Sequence, residues 1–220
     1  MKKYITILAV SLICNAQAAE DTRQDFQSVD GLIAHIKQAD PEHVLYDTNG
    51  VIVGVELVSV RSTDHNLQLL SQIKSLRYLS SGFSSTNKIL ALAKFPNLSG
   101  LRLMCSGGNH LLSALPCLTN LQSLELVQNA YETNDTIYLA RMTNLVALEI
   151  CGAIAQTQAE LLPITNLVNL RTLVIWGSDE YINKMDTSIL SRLNKLNHFV
   201  ITPNLDLIKN EEVWKKPYVK

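Results

Sequence analysis

No apolar run in this 220-residue chain reaches 18 residues, so no membrane-spanning helix is expected. Charge is scarce too. Charged residues make up 18% of the chain and the formal net charge is −1, which leaves no basic face for nucleic acid. There are only four cysteines, and no Cys-x-x-Cys or His/Cys spacing suited to zinc. No glycine-rich phosphate loop is visible, and Gly107-Gly108 reads as a turn. His35, His43, His65, His110 and His198 are scattered, with no nucleophile–base set around any of them. These absences leave no expected metal or cofactor and point away from an enzyme.

Residues 1–18 have the form of a secretory signal peptide. Lys2 and Lys3 form a positive end, Tyr4 to Ile13 an apolar core, and Ala16-Gln17-Ala18 suits cleavage after Ala18. Cys14 follows Ile13 rather than a small residue, so a lipid anchor is not expected. The expected product is an exported chain, periplasmic or secreted, acting as a monomer. Its cysteines are then Cys105, Cys117 and Cys151, an odd number. Cys105 and Cys117 fall on the strand end and the return of successive units, where a bridge is open to them; small buried fillers are the other reading. Cys151 lies two strands from Cys105, about 9–10 Å, beyond disulfide reach.

Leucine spacing dominates what remains. With Leu121 as zero, apolar residues fall at offsets −6, −3, 0, +3 and +5, and six copies can be laid out. The zero column is Leu76, Leu98, Leu121, Leu145, Leu170 and Leu196, in steps of 22, 23, 24, 25 and 26 residues. Of the 30 column positions 29 are apolar, against about 14 expected from composition, and the exception is Ser81. A further copy begins at Ile52, Val55 and Leu57. Offsets +3 and +5 alternate as in a strand, whereas −6, −3 and 0 are three apart, as in a short helix or 3₁₀ turn. Such a unit cannot bury its apolar face alone, so stacked neighbours must share one core.

On these residues the chain resembles leucine-rich repeat proteins, in a bacterial style with short helical returns. The resemblance covers residues 51–204, about six to seven repeats, and implies an α/β solenoid: a curved parallel sheet on the concave side, helices or 3₁₀ turns on the convex side. It implies a binding role and names no ligand. The family's asparagine at offset +8 stands only at Asn129 and Asn204; Ser84, Ser106, Ala153 and Ser178 occupy the other copies, so a less regular spine is expected.

Residues 19–50 read as an N-terminal cap. Ser28 precedes a helix to about Gln38 with Val29, Leu32, Ile33 and Ile36 on one face, ended by Asp40-Pro41. Val44–Tyr46 and Val51–Leu57 read as strands joined by Asp47-Thr48-Asn49-Gly50. Thr63-Asp64, Thr86-Asn87, Thr133-Asn134-Asp135 and Asp186-Thr187 carry helix-start signals, and Pro163 suggests an irregular return. Residues 205–220 read as a C-terminal cap through Trp214 and a basic tail.

The concave sheet is the expected working face. Candidate partner-binding residues point outward from it: Tyr78 and His198 at offset +2; Arg102, Glu125 and Glu149 at +4; Met104, Val127, Cys151 and Trp176 at +6. Arg102 and Glu125 should pair across strands, either as a solvated charge ladder or as a recognition row. The +6 stripe is apolar and ends in a tryptophan, the composition of a contact patch, unless insertions after the strands cover it. The expected ligand is a protein or a glycan. Two alternatives stand beside this one: an assembly module docking through its ends or convex face, and a carbohydrate-active enzyme using Glu125 and Glu149.

Overall fold

Three-residue spacing of apolar side chains is what consecutive tight turns require. In all six copies the amide at offset −3 donates to the carbonyl at −6, and the amide at 0 donates to the carbonyl at −3, as in Leu118 to Leu115 and Leu121 to Leu118. Each return therefore enters its strand through two i→i−3 turns, which place all three side chains on the sheet side. The computed structural model describes residues 26–58, 62–105, 110–127, 135–151, 158–177, 179–183 and 185–202. The signal peptide, the C-terminal cap with Trp214, Asn129 and Asn204 lie outside the described residues.

Helix α1 (Val29–Ala39) opens the described chain. The Ser28 hydroxyl accepts from the Gly31 amide, and Leu32, Ile33 and Ile36 are buried, as the sequence predicts. Strands β1 (Val44–Tyr46) and β2 (Ile52–Leu57) pair antiparallel. Their turn is built on Asp47, whose carboxylate accepts from the amides of Asn49 and Val51, and on Gly50 at φ +74°. Gly54 makes room for Leu45 on the paired strand: a Cβ there would sit 2.8 Å from Leu45 Cδ1 and 3.1 Å from its Cβ, so Leu45 would have to shift.

From β2 onward every strand is parallel to the last: β3 (Tyr78–Phe83), β4 (Gly100–Cys105), β5 (Ser123–Val127), β6 (Ala147–Cys151), β7 (Thr172–Trp176) and β8 (His198–Thr202). The sheet order is β1 to β8 in sequence. Each coil adds one strand at the growing edge, which is the construction of a leucine-rich repeat solenoid. The returns are helix α2 (Asp64–Leu70), then α3 (Thr86–Ala91) with a 3₁₀ turn, a 3₁₀ segment over Leu111–Cys117, α4 (Thr136–Leu139), α5 (Gln158–Leu161) with a 3₁₀ segment from Leu162 to Asn166, and α6 (Asp179–Ile182) followed by a 3₁₀ turn at Ser188–Arg192. Among the described residues of the helix-start signals, Thr63 makes a side-chain cap, to the Asn66 amide; α3 starts after Ser85 and α4 after Asp135 with no such bond, and Thr133 and Asn134 lie outside the described residues. Asp186 instead accepts from the Ser188 amide.

The core lies between sheet and returns. The zero column from Leu76 to Leu170 is buried, as are Leu79, Leu101, Leu124, Leu148 and Leu173 one turn on. Ser81, the polar exception, is fully buried and donates to the Gly82 carbonyl. The last copy is looser: Leu196 and Ile201 are partly buried and Phe199 is 40% exposed.

The spine tie that most +8 positions lack stands at offset −1. The side-chain amides of Asn97, Asn120, Asn144 and Asn169 donate to the carbonyls of Lys74, Pro96, Thr119 and Thr143, one coil back each time. Lys195 takes the next position and donates to Asn169 Oδ1 at 2.6 Å. Beside this ladder the Arg77, Ser99, Gln122, Val146 and Arg171 carbonyls each accept amides from the coil ahead, so the entry edge of the sheet is tied through side chain and backbone together.

Candidate functional site

Parallel register turns sequence offsets into rows. Glu56, Ser80, Arg102, Glu125, Glu149, Val174 and Val200 stand side by side across seven strands. Their neighbours along each strand face the leucine core, so this row faces the other way, onto the concave surface. Tyr78, Gly100, Ser123, Ala147, Thr172 and His198 flank it on one side. Gly82, Met104 and Val127 are in register on the other side, and Cys151, Trp176 and Thr202 continue it. Tyr78, Arg102, Met104, Glu125, Val127, Glu149, Trp176 and His198 lie on this face, in the rows their offsets assign, and the backbone of Cys151 is in register with Trp176.

Their exposure differs from the expectation. The charged row is not a solvated ladder: Glu56, Glu125 and Glu149 are 5%, 9% and 2% exposed, and Ser80 is buried. Tyr78, expected to point to solvent, is also buried. The physical reason is spacing. Members of one row stand about 4.8 Å apart on successive strands, which leaves little room for water between long side chains, so they pack against one another. Residues 59–61, 106–109, 128–134 and 152–157, the insertions considered as a cover, lie outside the described residues.

Burial of charge requires partners. Arg102 Nε lies 3.0 Å from Glu125 Oε1. Trp176 Nε1 donates to Glu149 Oε1 at 3.0 Å, so a ring of the outer row holds a carboxylate of the central one. Burial pulls the Arg102 guanidinium down, but Glu125, Tyr78, Glu56 and Glu149 outweigh it and hold the side chain more firmly protonated than usual. Burial pushes the Tyr78 phenol far above its ordinary value of 10.0; Glu125 and Glu56 add to the rise, while Arg102 and a hydrogen bond with Ser80 oppose it.

Above pH 10 an unfolded Tyr78 ionises while the folded one does not, so the native state binds more protons and stability falls as pH rises. Between about pH 9 and pH 11 the wild-type chain should lose about 1.4 kcal/mol more than Tyr78→Phe in urea titrations, because one proton is involved. Parallel curves for the two proteins would contradict the phenol's burial among carboxylates.

The outer row is the accessible one. Met104, Val127 and Trp176 are half-buried and Val58 is exposed. Thr202 closes the row in a buried position. His198, Thr172 and Ala147 are half-buried across the sheet. The side chains of Cys105 and Cys151 lie outside the described residues. Cys117 is an exposed free thiol, neither bridged nor a buried filler; partial desolvation raises its pKa. Among the described residues no group of His, Cys, Asp and Glu is arranged to hold a metal ion, and no helix is long and apolar enough to cross a membrane.

Sequence reasoning missed the asparagine ladder, although its signal was present: Pro-Asn-Leu, Thr-Asn-Leu, Thr-Asn-Leu and Val-Asn-Leu precede β4 to β7. It also missed the His110–Asp135 contact between adjacent returns, 3.3 Å from ring Nδ1 to carboxylate oxygen, which no local motif announces.

No protein-family model matches the sequence, and no curated protein matches it. Among solved structures it is similar to internalin C2 from Listeria monocytogenes, at 22% identity and a TM-score of 0.40, with 72% of this chain and 77% of that one covered. It is also similar to the internalin inlF from the same organism, at 19% identity and a TM-score of 0.45, covering 81% of this chain and 57% of that one. A third likeness is to the PEPR1–AtPEP1 structure, at 15% identity and a TM-score of 0.34 over 72% of this chain and 23% of that one. The solenoid itself stands on this chain's own coils and their register.

Proposed function

We propose that this chain is an exported leucine-rich repeat protein that captures a protein partner on its concave sheet, by binding rather than by catalysis. The observation that carries the reading is the half-exposed row Met104, Val127 and Trp176, anchored by the Trp176–Glu149 hydrogen bond. An apolar row with an oriented indole has the composition of a binding hot spot. Beside it stand three carboxylates against one guanidinium, which favours a partner that brings an apolar side chain flanked by basic groups. Glu125 and Glu149 stand on adjacent strands, but Arg102 and Trp176 engage them and little of either reaches solvent, an arrangement that suits support better than acid–base work on a sugar.

The test is capture from cell-envelope and host-cell extracts, followed by titration of the captured protein. Trp176→Ala should weaken binding by about 2 kcal/mol, roughly thirtyfold, as for a central aromatic anchor. Equal affinity in the variant would remove the concave row as the site.

A second reading has one observation of its own. Phe199 belongs to a column that is otherwise buried, and it is 40% exposed on the last described strand. An assembly module docking end-on would use that residue.

A further inference from the structure

Along the entry edge of the sheet, on a different surface from the concave row, runs a groove of about 610 Å³ that crosses the coils from Pro96 to Lys195. Its size is that of a small-molecule or oligomer site. Its chemistry is unlike the concave row. The ladder asparagines line it together with Gln122, Arg171 and Lys195, and no aspartate or glutamate does so among the described residues.

Three features narrow the ligand. First, each ladder carboxamide is already oriented by its bond to the coil behind. The Asn169 oxygen already accepts from Lys195. A fixed amide keeps a second N–H, and at Asn97, Asn120 and Asn144 its carbonyl oxygen too, a donor and an acceptor side by side that binding does not have to freeze. That pairing matches vicinal hydroxyls. Second, the amides repeat once per coil, about 4.8 Å apart. A β-1,4-linked pyranose chain advances by roughly that distance per sugar with alternate sugars turned over, so it keeps step with the coils and presents the same edge to every second one, whereas an extended peptide advances by about 3.4 Å per residue and falls out of step. Third, Arg171 is exposed and Lys195 sits at the end of the ladder with its ammonium on Asn169. With no carboxylate in the lining, the end of the groove formed by Arg171 and Lys195 favours an anion. Apolar anchors of the kind protein partners use are confined to Pro96 and Val146.

We propose that this groove binds an acidic oligosaccharide, one sugar to each coil, with uronate groups at Arg171 and Lys195. The site is independent of the concave row and stands or falls separately from it.

Calorimetric titration of the full chain with a β-1,4-linked pentamannuronate tests this, with cellopentaose and pentaglutamate as comparison ligands. The uronate should bind about tenfold more tightly than either, since each comparison ligand lacks one half of the match. Arg171→Glu with Lys195→Glu should weaken the uronate by at least about tenfold, while Gln122→Ala, which carries no charge, should weaken it by a few-fold. Thermal unfolding of both variants shows whether they remain folded, and Gln122→Ala keeps the test alive if the charge reversal does not. No heat with the uronate would overturn the proposal. So would pentaglutamate binding as tightly, which would mean a plain cationic patch, cellopentaose binding as tightly, or uronate affinity unchanged in the folded variants.

Discussion

Arg102→Met is expected to lower the free energy of unfolding at neutral pH by about 2–3 kcal/mol, more than any other charge-removing substitution on the concave face. The guanidinium is the cation set among Glu56, Glu125 and Glu149, and it lies 3.0 Å from Glu125. Methionine keeps much of the apolar stem but leaves Glu125, with a side chain only 11% exposed, facing apolar atoms in place of a positive charge. Breaking a fully buried pair costs about 3–5 kcal/mol, and the expected value lies below most of that range because the Arg102 side chain keeps 35% of its exposure and water screens part of the field. Glu125→Gln placed in the Arg102→Met background should recover about 1 kcal/mol by removing the stranded charge. Urea denaturation of the four proteins of this cycle gives the coupling directly. A loss under about 0.5 kcal/mol would place the pair with ordinary surface ion pairs and contradict its burial.

Leu145→Ala is expected to cost about 3–4 kcal/mol, and Leu196→Ala about 1–2 kcal/mol. Both occupy the zero column and both donate the same turn bond. They differ in packing: Leu145 is 0% exposed with coils on either side, whereas Leu196 is partly buried in the last described coil. In a solenoid the coils are held by contacts with their neighbours, so a cavity at a fully packed position costs more than one at a position that is already partly open. Equal losses at the two positions would mean that the stack does not behave as a chain of nearest-neighbour contacts.

Most of the fold could be read from leucine spacing. The five columns set strand register in advance: Leu101, Leu124 and Leu148 pair across the sheet as their shared offset requires. The N-terminal helix and hairpin were equally legible, because Ser28, Asp40-Pro41 and Asn49-Gly50 act through local backbone chemistry. The asparagine ladder is not legible at offset +8, because the tie lies in the turn before the strand rather than in the turn after it. Helix starts were the least secure local signal. Most returns here are too short, and too tightly tied by three-residue turns, to need a side-chain cap.

The rows of the candidate site were legible; their exposure was not. Offset assigns a side chain to a face, and Tyr78, Arg102, Glu125 and Glu149 do share one. Whether water reaches that face depends on how neighbouring rows pack, which periodicity does not encode. The same limit explains Glu149: its bond to Trp176 crosses from the central row to the outer row and from one strand to the next, a diagonal that follows from side-chain reach rather than from spacing.

Photo-crosslinking tests the concave-row reading most directly. Benzoylphenylalanine is placed at Val127, on the half-exposed row, or at Phe199, at the last described strand, and each protein is irradiated with the captured partner. Binding through the concave row gives an adduct from position 127 that disappears on adding Trp176→Ala, and none from position 199. An adduct from position 199 with none from position 127 would contradict that reading and assign the contact to the end of the stack.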